Sequence, residues 1–398
     1  MNHILLVYNK KNREEDYLKL IKKEIENTNE YKVIISPRTP SKKFISNVFK
    51  YQPKSILTFP FTAKDSSPLF YILKFILKFK LVTLRTEGAM YYDIPENINW
   101  HSGNENYGKN LIDLEIFWGN KQREVLGKQL LIKNKIENKD RLITIGYPRI
   151  ELIESIKENK IIHKGYLLFA TGFYLADYTK KSIFDGKDTP TDKKSLDHAL
   201  HMIEISKTLR AKFIKEIDAI AALSDLIFYV KIHPIENKED YTFKNFNSNI
   251  IVIKDEYQIS ELVRNCDFFF HYGSTTLIDA YLHKKPSFYY YYKDSKTYYP
   301  DLNWPNNKIL NLDSLKEFIL NNEMNQFKFK LSKEIKDVMK EEFNYSFSKT
   351  YKPSKEIASR LLSKNKLLKV SFFDKYLWFS VFKSITLLFG YLIRKLQK

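Results

Sequence analysis

Short apolar runs alternate along this chain with longer stretches whose apolar positions recur every three or four residues, the pattern of β-α units around a parallel sheet. In the first half the runs predict strands at His3 to Tyr8, Tyr31 to Ser36, Ser55 to Phe59, Leu81 to Leu84, Asp113 to Trp118 and Leu142 to Ile145. Helical stretches lie between them, notably Glu14 to Glu26 and Ser67 to Phe79. This half reads as one doubly wound domain.

A charged segment, Glu151 to Lys164, lacks a strong strand pattern and reads as a link, after which the alternation restarts. Strands are expected at Gly165 to Ala170, Leu226 to Ile232, Ile250 to Ile253 and Asp267 to His271, with helices at Lys194 to Leu223, Ile259 to Asn265 and Thr275 to Leu282. Pro286 to Tyr292, with its run of tyrosines, is expected to close the series as a buried final strand. The expected organisation is a Rossmann-like domain over 1–150, a linker over 151–164, a second Rossmann-like domain over 165–342, and C-terminal helices over 343–398. Two such α/β domains are expected to face each other across a cleft at the carboxyl ends of both sheets, which directs attention to residues just after strands.

Composition narrows the classes. With 398 residues, the chain exceeds the usual size of a single core, and 43% hydrophobic content with 29 Phe and 27 Tyr excludes a disordered chain. Cys266 is the single cysteine, so an internal disulfide and a cysteine-based metal site are excluded and a cytoplasmic setting is expected. The N-terminus has no basic region and too short an apolar run for a signal peptide. A formal charge of +19 suits an anionic partner, whether nucleic acid, lipid headgroups or a phosphorylated substrate, although scattered lysines serve solubility as well. No nucleic-acid module is recognisable, so no nucleic-acid partner is expected.

Three clusters follow predicted strands. Arg85-Thr86-Glu87-Gly88 puts a carboxylate at a strand end, followed by a glycine that lets a ligand approach the backbone. Glu87 is the candidate general base for a sugar hydroxyl, or else a cap or a surface turn residue. Lys231-Ile232-His233-Pro234-Ile235-Glu236 leaves a histidine at a rigid strand exit, where it can donate to a phosphate or merely satisfy a turn. Glu236 can accept from a ribose or face solvent. His271-Tyr272-Gly273-Ser274-Thr275-Thr276, in which a glycine precedes three hydroxyl residues, combines free amides and hydroxyls before a helix, a generic phosphate site that is equally compatible with simple capping. Arg85, Gly88, Arg149 and Gly172 are candidates for the acceptor side or the cleft.

Together the clusters resemble the signature of bacterial sialyltransferases and polysialyltransferases. Thr86-Glu87-Gly88 with Phe117-Trp118-Gly119 and Gly146-Tyr147-Pro148-Arg149 looks more like the bacterial surface carbohydrate biosynthesis proteins, which are related to capsule Kdo transferases. Covering residues 80 to 290, the resemblance implies a GT-B fold and a nucleotide-sugar donor, CMP-linked Kdo, sialic acid or a related nonulosonic acid. It makes Glu87 the base, His233 the phosphate ligand and acid, and Ser274 and Thr275 further phosphate ligands. Where polysialyltransferases have an acidic pair before glycine, this chain has Thr86-Glu87. CDP-glycerol or CDP-ribitol phosphotransferases of the teichoic-acid type, with similar histidine-proline and serine motifs, are the rival. No Asp-x-Asp follows a strand, so metal independence and no cofactor are expected; no Walker or dinucleotide-binding glycine motif occurs.

From Lys366 the tail carries seven Lys/Arg against the single Asp374, and Tyr376 to Ile393 is almost wholly apolar with Lys383 at its centre. A lysine there costs about 2.5 to 3.5 kcal/mol in a membrane span, so an amphipathic helix on an anionic membrane surface is preferred over a span or packing on the protein. Residues 366–398 are thus expected to hold the enzyme on the inner face of the cytoplasmic membrane, beside a glycan or lipid-linked acceptor.

Overall fold

The computed structural model describes residues 2–9, 11–37, 41–60, 67–85, 95, 98, 101–102, 110–133, 135–156, 165–178, 193–243, 249–272, 274–290, 304–309, 312–320, 323–348, 350–363, 367–371, 377–378 and 380–382. The chain forms two compact units, Met1–Leu152 together with Lys336–Lys398, and Ile153–Ile335.

The first unit contains β1 (Asn2–Tyr8), α1 (Lys11–Glu26), β2 (Tyr31–Pro37), α2 (Lys42–Tyr51), β3 (Ser55–Thr58), α3 (Ser67–Leu77), β4 (Lys80–Leu84), β5 (Leu114–Phe117), α4 (Asn120–Ile132) and β6 (Leu142–Thr144). The strands pair in parallel in the order β2-β1-β3-β4-β5-β6. β3, β4 and β5 are buried at every position, as expected of strands covered on both faces. α2 starts where the Ser41 hydroxyl accepts the Phe44 amide at 3.1 Å, and stops at Gln52, whose φ of 42° lies in the left-handed region.

α5 (Pro148–Ser155) leads into the second unit, and α10 (Lys333–Phe343) leads out of it, followed by α11 (Pro353–Leu362), which packs on α1. The seat for this returning segment is made by the two glycine motifs of the first unit. Trp118 stacks on Tyr147 with ring centroids 3.7 Å apart, the Tyr147 amide donates to the Tyr351 hydroxyl at 2.6 Å, and that hydroxyl donates to the Phe343 carbonyl at 3.0 Å. Gly146 sits at φ +122°, and a methyl group there would overlap the Tyr351 hydroxyl; one at Gly119 would overlap the Glu341 and Glu342 backbone.

Asp113 ties the next part of the chain to the sheet. Its carboxylate accepts from Lys74 Nζ at 2.5 Å and from the amides of Leu81 and Leu368, both at 2.7 Å. Val370 and Leu377 then enter the core of this unit, whereas Trp378 and Phe382 are 49% and 72% exposed. Most of the predicted tail helix, including Lys383 to Lys398, lies outside the described residues. Among the described residues no helix is long and apolar enough to cross a membrane.

The second unit contains β7 (Tyr166–Ala170), α6 (Lys193–Ala221), β8 (Ile227–Lys231), β9 (Ile250–Ile253), α7 (Ile259–Asn265), β10 (Phe268–His271), α8 (Leu277–Leu282), β11 (Ser287–Tyr290), β12 (Asn307–Ile309) and α9 (Leu312–Leu320). The order is β12-β11-β10-β7-β8-β9, again all parallel. Phe169, Phe228, Val230, Phe270 and Tyr290 share one face of the sheet and pack against Phe213 and Ile217 of α6. Pro286 to Tyr292 does not close the series as expected: β12 adds one more strand, pairing Phe288 with Asn307 and Tyr290 with Ile309. Its three residues, Asn-Lys-Ile, form an edge strand too short and polar to register as an apolar run.

Gly146→Ala and Gly119→Ala should each lower the urea stability of the chain by about 1–3 kcal/mol and speed proteolytic cutting near residues 344–352, since backbone and a hydrogen-bonded tyrosine cannot give way. Gly127→Ala should be much milder, because its methyl would meet only the Leu142 side chain, at 2.9 Å, within a helix that favours alanine.

Candidate active site

β7 lies at the centre of the second sheet, and its two neighbours differ in direction of travel along the chain. The connection leaves β7 for β8 and β9 on one side, then returns to β10 on the other, which makes the β7/β10 boundary a topological switch point. Ala170 is in register with Lys231 on one side and with His271 on the other. The segments after these three residues, Thr171-Gly172, Ile232 to Glu236 and Tyr272 to Thr276, therefore leave the same edge of the sheet side by side.

Lys231 is half-buried, and burial pushes its amine below the ordinary 10.5 against the opposing pull of Asp255 and Glu256. His233 Nδ1 accepts the Ile235 amide at 3.3 Å, so the neutral ring carries its proton on Nε2, as a donor. The ring centroid is 5.4 Å from that of Tyr174, and Pro234 and Ile235 beside it are exposed.

Glu236 is 0% exposed, which rules out the solvent-facing alternative. Its Oε2 accepts from Thr171 Oγ1 at 2.7 Å and from the Tyr241 hydroxyl, while Oε1 is buried without a hydrogen-bond partner among the described residues. Thr171 Oγ1 also accepts the His233 amide at 3.2 Å. Burial raises the Glu236 carboxyl above the ordinary 4.5, with the Tyr241 and Thr171 hydroxyls pulling the other way. A second tie holds the far end of this turn: Asp177 accepts the Asn237 amide at 3.0 Å and pairs with Arg210 at 2.6 Å, and Arg210 reaches Asp240 at 3.2 Å.

At the end of β10, His271 is 2% exposed and its Nδ1 accepts the Ser274 amide at 3.3 Å. Ser274 Oγ in turn accepts from the Thr276 amide at 3.2 Å and from Thr276 Oγ1 at 2.8 Å. These bonds close a tight turn ahead of the helix rather than a cap, since Thr276 at the N-cap makes no side-chain cap bond, and the helix proper begins at Leu277, two residues later than expected. Ser274, Thr275 and Thr276 are all half-buried at this edge; Gly273 lies outside the described residues. Gly172 and Arg149 are half-buried as well.

In the first unit, Glu87 and Gly88 lie outside the described residues. Arg85, directly after β4, is 2% exposed. Its guanidinium pairs with Glu115 at 2.6 Å, donates to the His101 carbonyl and lies 5.5 Å from the Phe117 ring centroid, while its carbonyl accepts from the Trp118 indole. Glu115 also accepts from the Thr83 hydroxyl. These bonds join the ends of β4 and β5 and hold the backbone that enters Thr86-Glu87-Gly88.

Sequence reading missed Thr171, Tyr241, Asp177 and Arg210, and left His271 in the third cluster without a role. Position alone could have flagged Thr171, which follows a strand directly, and given weight to His271, which ends one. Among the described residues no cluster of three or more His, Cys, Asp or Glu is arranged to hold a metal ion.

No protein-family model and no curated protein matches the sequence. Solved structures match over nearly the whole chain. The S. aureus MnaA–UDP co-structure gives a TM-score of 0.51 at 12% identity, covering 93% of this chain and 100% of that one. The UDP-GlcNAc 2-epimerase from Methanocaldococcus jannaschii gives 0.50 at 13% identity, covering 91% and 99%. A variant of the wall teichoic acid polymerase TagF soaked with CDPG gives 0.51 at 13% identity, covering 90% and 87%. The chain thus has the two-domain GT-B-like α/β fold.

Replacing Glu236 by Gln should change how stability depends on pH. A carboxyl raised on folding stabilises the protein below its unfolded value of 4.5, and that contribution is lost as pH rises through the folded value. The melting temperature of Glu236→Gln relative to the parent should therefore rise as the pH is raised above 4.5, as read by scanning calorimetry.

Proposed function

We propose that the chain is a transferase that uses a nucleotide-activated donor to extend a bacterial surface glycan, with the carboxyl edge of the second sheet as its donor site. The observation that carries this reading is the buried Glu236 carboxylate, with one oxygen held by two hydroxyls and the other unpartnered among the described residues, beside a histidine whose Nε2 is a donor. An unpaired buried oxygen suits a ligand that brings its own donors, such as the hydroxyls of a ribose. His233 Nε2 and the Ser274–Thr276 segment suit the adjoining phosphates, with Lys231 adding positive charge. The GT-B-like fold, found in enzymes whose solved structures hold UDP or CDPG, supports the same reading.

In the proposed step Glu87 takes the proton of an acceptor hydroxyl, whose oxygen attacks the anomeric carbon. The bond from that carbon to the donor phosphate breaks, and its electron pair leaves on the phosphate oxygen, stabilised by His233 with Ser274 and Thr275. No metal or cofactor enters the step. The Glu87-Gly88 pair favours sugar transfer, with CMP-linked Kdo, sialic acid or a related nonulosonic acid as donor. The second reading is polyol-phosphate transfer from CDP-glycerol or CDP-ribitol, which the likeness to TagF favours.

The setting we propose is the inner face of the cytoplasmic membrane, with the tail beyond the core-bound Leu377 lying on anionic lipid. Trp378 and Phe382, one helical turn apart and exposed, together with the basic residues Lys383, Arg394, Lys395 and Lys398, support it.

Incubation with CMP-Kdo, CMP-sialic acid, CDP-glycerol and UDP-GlcNAc, read by product mass and by proton NMR for epimerisation, should show turnover of a CMP-sugar; release of a polyol phosphate would move the assignment to the second reading, and an epimer alone would end both. Glu87→Gln should then lower kcat by about 10²- to 10⁴-fold with donor KM little changed, while His233→Ala should impair both. Removing residues 383–398 should abolish flotation with anionic vesicles and leave the melting temperature nearly unchanged, because the core-bound part of the tail is kept.

A further inference from the structure

Thr171 joins two parts of this edge through a single hydroxyl. It is 8% exposed and follows the central strand of the sheet at the switch point, between the two loops of the donor site. Its hydroxyl has one proton and accepting lone pairs, and both capacities are engaged. The proton goes to Glu236 Oε2 at 2.7 Å, and the oxygen receives the His233 amide at 3.2 Å. The residues so joined stand at the two ends of one short turn, which a further bond closes from the Glu236 amide to the His233 carbonyl at 2.9 Å.

We infer that Thr171 is a positioning residue of the donor site: its one hydroxyl holds the Glu236 carboxylate and the His233 backbone in fixed register, so that Oε1 and the imidazole meet a ribonucleotide together. This rests on the reading of the edge as a donor site.

The consequence concerns selectivity. Tyr241 and Thr171 both load Oε2, so the carboxylate cannot rotate without breaking two bonds, and Oε1 is the oxygen kept for the ligand. A site built in this way favours a ribose that presents hydroxyl donors over a deoxyribose that offers fewer, since the poorer ligand leaves a buried acceptor unpaired. Valine at 171 keeps the shape and removes both bonds, whereas serine keeps both bonds and removes only a methyl.

The test uses the full-length protein with two readouts. The first is the exchange rate of the His233 amide, measured by NMR without ligand. Thr171→Val should speed it by about tenfold or more and Thr171→Ser should leave it near the parent value; unchanged exchange in the valine variant overturns the tie. The second is calorimetric titration with CMP, CDP and UDP and their 2′-deoxy forms. The valine variant should lose about tenfold or more in affinity for the preferred ribonucleotide and much less for its deoxy form, with serine restoring the selectivity. Equal losses for both forms, or no rescue by serine, would overturn the positioning role. Should Thr171→Val fail to fold, Tyr241→Phe takes its place: it should narrow the ribose preference without freeing the His233 amide, and an unaltered preference counts against the proposal. If the parent protein binds none of the six nucleotides, the donor-site reading fails, and the amide exchange alone decides whether the tie exists.

Discussion

A carboxylate removed from water has to be held by donors, and the second unit is organised around that requirement at Glu236. The two hydroxyls that meet it come from places far apart in sequence: Thr171 from the end of the central strand and Tyr241 from beyond the turn. Each has further duties, Thr171 toward the His233 amide and Tyr241 in the core beneath. The position of the histidine, the rigidity of the turn and the unpartnered oxygen all follow from meeting the needs of one buried charge. Leaving one oxygen unpaired is costly to stability, and such a cost is retained most readily where a ligand removes it.

The first unit meets a different constraint, that of receiving its own C-terminal segment. The motifs that resemble those of surface carbohydrate enzymes, Phe117-Trp118-Gly119 and Gly146-Tyr147-Pro148-Arg149, turn out to have a mechanical explanation in their glycines and aromatic rings. The glycines leave space for the Glu341–Glu342 backbone and for the Tyr351 hydroxyl, and the stacked Trp118 and Tyr147 form the floor. A motif can thus be informative about a fold while most of its atoms have structural work. The Arg85–Glu115 pair sits one strand away and fixes the exit from β4, from which the chain continues to Glu87.

Much of the fold is legible in the sequence because strands of a parallel sheet are buried on both faces and appear as plain apolar runs. Leu81 to Leu84 and Tyr166 to Ala170 illustrate this, whereas β12 escapes because an edge strand of three residues carries no such run. Strand ends are legible too, and they pointed to His233, Glu236 and Ser274. What was not legible is which of these groups bond to one another. Thr171 reaches Glu236 across 65 positions and His233 across 62, and no local pattern records a pairing of that span. Arg210 and Asp177 are hidden for the same reason, one within a long helix and the other in a short helical turn.

The proposed function stands on nucleotide and sheet edge belonging together in the second unit. A crystal structure of the protein soaked with CDP and UDP tests it most directly. Density is expected with the ribose hydroxyls on Glu236 Oε1 and the phosphates between His233 Nε2 and the hydroxyls of Ser274 and Thr275. Clear nucleotide density elsewhere on the molecule, with Glu236 Oε1 still unpartnered, would contradict it.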